Sequence, residues 1–546
     1  MKYSSVSDRL HAAADGRIAV AIVILAVMFL AIANAFVTDD AFISFRYARN
    51  LVEMRELAWN PGTGERVEGY TNFLWTLAMA AAIAAGFDPV PVSKILGLLF
   101  ALGTLLLAYR LSSRLLQSRR AALLAIALLG TNYTFSAFAT SGLETQMQAF
   151  LILASASLAF SIAGGDRLSV RRSIAFSLLC AAALLTRLDS AIPVVALFAY
   201  VSIGPVRRAS GENRRAAAGT ALVLPALVIV GSWLLWKNAY YGSLLPNSYH
   251  AKGTTFSLDI LKGGVLYLFE FFRSYCLLPI AFLFLFAFRS VLARRETRVL
   301  AIICALWCLY VARVGGDFME FRFVVPVLPL IFIMTAATLR ALGSPRAQAA
   351  FVTMMLVCSL FHAVTFRGFP GVEPVPKLRD YIIGESGPWE LAGKVLGELF
   401  PEGGVTIATT AAGAIPYYSK LPAVDMLGMN DAWVARNGAI IGPRAGHRRA
   451  ATLAYLNERG VNLVIGHPLI ENVDTESASR NCSVADLAEM FMVQNVGADR
   501  VPADAKILEI PLDAGRRIAV LYLNGNARVD AMIEEKGLAT FPITRP

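Results

Sequence analysis

The stretch Ile18–Leu51, "IAVAIVILAVMFLAIANAFVTDDAFISFRYARNL", decides the fold. Its first part, Ile18 to Val37, is an apolar run of about the 20 residues that a helix needs to cross the hydrocarbon core of a bilayer. The run is too long for a signal-peptide core, and no small-residue cleavage site precedes the acidic pair, so it reads as a retained first spanning helix. Charge then arrives abruptly: Asp39 and Asp40 are adjacent, and Arg46 and Arg49 follow within a short amphipathic segment.

The rest of the chain extends this pattern. Of its 546 residues 56% are hydrophobic and 16% charged, against about 25% charged in soluble proteins. A wholly soluble protein is excluded. The net charge of +11 does not point to nucleic acid, because most Lys and Arg lie in short loops between apolar runs, where such residues mark the cytoplasmic side. Cys180, Cys276, Cys304, Cys308 and Cys358 sit inside apolar runs and only Cys482 lies in a polar region, so no disulfide framework is expected.

Lys2, Arg9 and Arg17 place the N-terminus inside, and the first helix delivers "TDDAF" outside. The apolar stretch 71–85, roughly 15 residues long, is short of a span. If it crossed, Arg110, Arg114, Arg119 and Arg120 would fall outside, against the positive-inside rule. It is therefore expected to lie in or dip into the outer leaflet. Further spans follow at 92–109, 121–139, 146–163, 173–185, 192–203, 217–236, 275–288, 300–314, 324–342 and 349–366. That makes about eleven crossings, with the basic loops inside and the C-terminal region outside.

After Arg367 no run is long enough to span. "GGVTIATTAAGAIPYY" and "GVNLVIGHP" read as short strands ending in Gly-rich turns, and "GHRRAATLAYLNERG" as an amphipathic helix closed by Gly460. The expected organisation is a polytopic α-helical membrane domain over residues 1–366, with its first outer loop at about 38–91, and a soluble extracytoplasmic α/β domain over residues 367–546.

This topology rests on Lys and Arg alone, yet it puts Asp39, Asp40, Glu53, Glu65, Glu68, Glu144, Asp189, Asp317 and Glu320 on the outer face or its membrane boundary. Ionisable groups at such a boundary are costly unless they face water, pair, or do chemistry. In "DDAFISFRYARNL", Asp39, Ile43 and Arg46 fall on one helical stripe and Phe42, Phe45 and Arg49 on another. Arginines there either bind lipid headgroups and neutralise the aspartates, or serve a substrate phosphate beside a carboxylate base. "NSYHAK" offers His250 and Lys252 to a phosphate. In "TRLD", Arg187 and Asp189 either pair to hold a hairpin or face a substrate. "GGDFMEFRF" adds Asp317, Glu320 and Arg322 behind Gly315 and Gly316, which permit close backbone approach. Asp39 and Asp40 are also candidate ligands for Mg²⁺ or Mn²⁺, although two carboxylates alone make a poor site. No Walker-type, HExxH or CxxC motif is present, so ATP-driven transport and zinc catalysis lack support.

The ordered segments "TDDAFISFRYARNLVEMRELAWNPGTGERVEGYTNFLW", "SGLET", "TRLD", "LLPNSYHAK", "GGDFMEFRFVVPVLPL" and "AVDMLGMNDAWVAR", with Gly446–His447, resemble the bacterial GT-C-class membrane glycosyltransferases. They are similar to the terminal arabinofuranosyltransferases of mycobacterial and corynebacterial cell walls and their proteobacterial relatives. The resemblance implies a multi-pass enzyme of the bacterial plasma membrane with an outer-face site. It implies transfer of a sugar, with arabinofuranose as the best match, from a polyprenyl-phosphate donor to a hydroxyl of an extracytoplasmic glycan, lipid or protein. It maps the catalytic carboxylate to Asp39 or Asp40 and the donor phosphate to residues among Arg46, His250, Lys252 and Arg322. Substrate binding maps to Glu68, Tyr70, Asn72, Glu144, Arg187, Asp189, Asn247 and Asp317. Rival readings are a lipid-linked-sugar flippase without bond cleavage, disfavoured by the scarcity of charge at mid-span, and an assembly subunit.

Overall fold

The computed structural model describes residues 6–164, 169–203, 212–251, 257–385, 387–442, 444, 446–474 and 478–545. The chain forms two units, neither continuous in sequence: residues 1–36, 90–236 and 258–374, and residues 37–89, 237–257 and 375–546. The expected division at residue 366 therefore gives way to a different one. The first outer loop and the 237–257 segment belong with the C-terminal region, because their polar side chains bond to it.

The first unit is helical. Among the described residues six helices are long and apolar enough to cross a bilayer: Pro89–Leu116, Thr145–Ala163, Ala217–Tyr241, Arg295–Val314, Arg322–Ala341 and Pro345–Thr365. Two bent pairs raise the number to at most 8: Arg119–Thr131 with Tyr133–Thr140, at 67°, and Leu258–Ser274 with Leu277–Val291, at 91°. Each of the about eleven expected crossings coincides with a helix, six to eight of which meet the spanning length among the described residues. The first helix runs Val6–Ala33, Leu188–Val201 is shorter than a span, and Val170–Thr186 has 17 residues. The first bend occurs where the side chain of Asn132 accepts from the Phe135 amide at 3.0 Å and starts a new helix. The second occurs at Cys276, which is left-handed at φ 52°. Large apolar side chains point outward along the spans: Leu25 is 69% exposed, Phe29 71% and Phe286 73%. Such surface is tolerated in lipid and not in water; the chain is a multi-pass membrane protein.

Among the described residues the strands of the second unit are β1 (Ile407–Thr409), β2 (Ala423–Asp425), β3 (Ala439–Ile440), β4 (Arg449–Ala450), β5 (Leu463–Asn472), β6 (Lys506–Pro511), β7 (Arg516–Tyr522) and β8 (Thr540–Pro542), and six of them form a sheet of order β2-β1-β5-β7-β6-β8. β1 runs parallel to β2 and β5. β6, β7 and β8 complete it in antiparallel pairing. Val424, Leu453, Leu456, Val464, Phe491, Ile507 and Leu521 fill the core on one face. The strands expected from "VTIATT" and "VNLVIG" are present. The expected helix over "GHRRAATLAYLNERG" shrinks to Leu453–Glu458, because Arg449–Ala450 pairs instead with Ala439–Ile440 as a two-stranded ribbon. The apolar helix Phe73–Ala84 belongs to this unit and is too short to span.

Candidate active site

The acidic helix Asp39–Glu53 begins after Thr38, whose extended backbone (φ -90°, ψ 158°) turns the chain into it. Asp39, Phe42, Arg46 and Arg49 follow the i, i+3, i+4 rule along one face. All four meet a single segment, residues 413–423, that leaves β1 through a Gly turn and a one-turn helix, Ala414–Ser419. The Asp39 carboxylate accepts from the Gly413 amide at 3.0 Å and from the Ala414 amide at 2.7 Å. Phe42 packs on the rings of Tyr417 and Tyr418 at 5.5 and 5.4 Å. The Arg46 guanidinium donates to the carbonyls of Trp59, Pro416 and Leu421 and to Asn60. Arg49 donates to the Tyr417 carbonyl and lies over that ring at 4.7 Å.

These contacts revise the part expected of Arg46. Its side chain is 2% exposed, and carbonyl oxygens and one amide oxygen take up its donor fork, which matches such acceptors as well as it matches phosphate. Arg46 is a clasp inside the fold. The two stripes read from sequence also merge: the docking face combines members of both. Asp39 and Asp40 are half-buried at the start of the helix. Burial pushes the Asp39 carboxyl up to about 7, the amides of Ala414 and Gly413 oppose that rise, and Asp40 and Asp425 add to it. Among the described residues no cation pairs with Asp39. Asp425, at the end of β2, is itself buried and held by the amides of Leu427, Gly428 and Asn430; burial pushes it up to about 6.

Behind the acidic helix lies a buried polar network. Glu68 pairs with Lys237 at 2.7 Å, both under 6% exposed; burial raises the Glu68 carboxyl to about 7, and Lys237 opposes that rise. The Tyr47 hydroxyl donates to the Val67 carbonyl and accepts from the Gly69 amide. Tyr70 meets the Tyr241 hydroxyl at 3.1 Å. The Asn72 side-chain oxygen Oδ1 accepts from the hydroxyls of Ser44 and Thr76. Asn247 donates to the carbonyls of Gly428, Met429 and Asp431, and its amide donates to Glu68. Glu68, Tyr70, Asn72 and Asn247, expected to touch substrate, thus brace this unit from inside. His250 stands on the same short helix as Asn247, and its pKa is lowered by partial burial and by Arg436. Lys252 lies outside the described residues.

The membrane unit gathers the remaining expected residues. Arg187 bridges Glu144 at 2.8 Å and Asp189 at 2.9 Å, and Gln148 donates to Asp189 at 2.6 Å. Arg322 pairs with Asp317 at 2.6 Å. Arg187 and Arg322 both lie over the ring of Phe323, at 5.6 and 5.3 Å. Glu320 meets His362 at 2.8 Å. Of the two readings of "TRLD", the ion pair is the one present. A phosphate role for Arg322 has to contend with the carboxylate that already binds its guanidinium.

Among the described residues no group of three or more His, Cys, Asp or Glu side chains is placed to hold a metal ion. The acidic pair fits a resident cation poorly, because both Asp39 oxygens face amide hydrogens. Sequence reasoning missed Lys237, Asp425 and the Gly413–Ala414 amides. A lysine directly after an apolar span, "LLWKN", was a legible sign of a buried partner; the amides carry no side-chain signal at all.

Several known proteins resemble the chain. Residues 384–508 match the model of a domain of unknown function (DUF8728). A terminal beta-(1->2)-arabinofuranosyltransferase of Corynebacterium glutamicum is 28% identical over 332 residues, covering 55% of this chain and 47% of that protein. The chain thus spans about half the length of this curated relative. ArnT from Cupriavidus metallidurans in the apo state superposes with a TM-score of 0.54 at 13% identity, over 94% of this chain and 100% of ArnT. ArnT bound to undecaprenyl phosphate gives 0.48 at 15% identity, over 93% and 98%. The long helices, the bent pairs and the sheet-containing C-terminal region together share the fold of ArnT.

Proposed function

We propose that this protein is a membrane glycosyltransferase that moves a sugar, arabinofuranose, from a polyprenyl-phosphate donor to a hydroxyl of an extracytoplasmic glycan, lipid or protein. The observation that carries the reading is the acidic pair. Asp39 is oriented by two backbone amides, lacks a cationic partner among the described residues, and has its carboxyl pushed up to about 7. A general base works best with a pKa near the working pH. Asp39 takes the proton of the acceptor hydroxyl, whose oxygen bonds to the anomeric carbon of the donor sugar. The bond from that carbon to the phosphate oxygen breaks, and polyprenyl phosphate leaves with the electron pair. His250, whose pKa is lowered by partial burial and by Arg436, and Lys252, two residues on, take the leaving phosphate. The sugar is taken from the corynebacterial relative's name, and ArnT with undecaprenyl phosphate supplies a precedent for a lipid phosphate on this fold.

The test is transfer by the full-length protein in detergent from labelled polyprenyl-phosphate arabinofuranose. Release of polyprenyl phosphate with a new glycosidic product is expected, and Asp39→Asn should lose about 10²- to 10⁴-fold in rate. Movement of the donor across vesicles without release would establish a flippase instead. Full activity of Asp39→Asn with loss in Asp40→Asn would move the base to Asp40.

A further inference from the structure

We infer that Gly413 and Ala414, in the domain of unknown function, are positioning residues that set the carboxylate of Asp39. This rests on the assignment of Asp39 as the base. The amide contacts of 3.0 and 2.7 Å reach both carboxylate oxygens, so rotation of the carboxyl breaks at least one of them. Gly413 is required by space and not by backbone angle, since its φ is -98°. A Cβ there would overlap the main-chain oxygen of Asp39 and come within 2.8 Å of its carboxyl carbon. The turn is itself pinned. The Thr409 hydroxyl accepts from the Ala411 amide at 3.0 Å, the Thr410 amide donates to the Gly466 carbonyl at 2.9 Å, and Ala411, Ala412 and Ala414 are all at or below 2% exposure. Small side chains bring this backbone against the acidic helix, and Phe42, Arg46 and Arg49 lock the register. The contacts of this segment go beyond simple attachment: its first two amides fix where the carboxylate points.

The charged groups facing Asp39 are Asp40 on its own helix and Asp425 at the end of β2; the amides oppose both. Removing an amide therefore raises the Asp39 pKa further, and the acid limb of the rate profile moves to higher pH.

Two variants of the full-length protein test this. Gly413→Ala displaces the carboxylate; a shift of about 1 Å in a reacting group costs about 10²-fold, and the loss is expected in kcat with the donor KM unchanged. Ala414→Pro deletes one donor at the first helical position, where proline is tolerated; about a tenfold fall in kcat is expected, with the acid limb shifted upward. Combined with Asp39→Asn, neither change should lower the residual rate further. If Gly413→Ala fails to fold, Ala414→Pro decides. A folded Ala414→Pro protein with unchanged kcat and acid limb overturns the inference. If Asp39→Asn is itself fully active, the underlying assignment has failed instead.

Discussion

In the membrane unit Arg187 sits between Glu144 and Asp189, Arg322 meets Asp317, and His362 meets Glu320. In the second unit Asp39 is answered by two amides and repelled by two neighbouring carboxylates, while Arg46 is answered by carbonyls. Opposite charges brought together out of water largely cancel each other's desolvation, and such clusters hold shape. A carboxylate met only by dipoles keeps part of its desolvation cost, and its proton affinity rises toward neutrality. The first arrangement suits architecture or the steady binding of a polar ligand; the second suits a group that must gain and lose a proton.

The comparison breaks first at Asp39. Asp39→Asn should abolish sugar transfer by about 10²- to 10⁴-fold while leaving the unfolding midpoint within a few degrees of the parent; a large stability loss with transfer intact would make Asp39 architectural. Arg187→Met probes the other side. It strands two carboxylates and should destabilise the protein by about 3–5 kcal/mol, read as a lowered unfolding midpoint in detergent. A well-folded Arg187→Met protein with a raised donor KM would make the cluster a binding site.

The pH dependence sharpens the same contrast. The Asp39 carboxyl is raised from 3.8 to about 7, so the ionised form that the proposed base role needs is lost as pH falls through about 7. Activity at about 1.5 pH units below that point should be about 30-fold under its plateau. The sign for stability is opposite: the folded state holds this proton more tightly than the unfolded chain, so the stability contribution falls as pH rises between 3.8 and about 7. The smallest effect belongs to Arg46→Lys, which replaces the fork with a point donor. It should cost about 2 kcal/mol of stability and leave the donor KM unchanged; a donor KM raised severalfold would return Arg46 to the phosphate.

Much of the fold was legible. Apolar length and loop arginines announced the spans, and the 71–85 segment read as non-crossing is a 12-residue helix in the second unit. The bend at Asn132 escaped, because a break of a few residues hardly lowers the mean hydropathy of a run, and the helix Leu258–Ser274 before the bend at Cys276 was not expected. For the site, the residues that hydropathy and spacing singled out did mark buried charge. What they could not reveal was the partner. Nothing in "DDAFISFRYARNL" says that Arg46 will find Pro416 and Leu421, or that Glu68 will find Lys237.

Composition and periodicity alone therefore determined a multi-pass helical protein with an acidic helix after its first apolar run and an α/β region at its C-terminal end, since burial against lipid or core is a property of local pattern. Only the tertiary structure decided which charges are spent on the fold and which keep their proton chemistry. That depends on distances of about 3 Å between segments hundreds of residues apart, and on backbone amides such as those of Gly413 and Ala414, which every sequence contains and no side chain advertises.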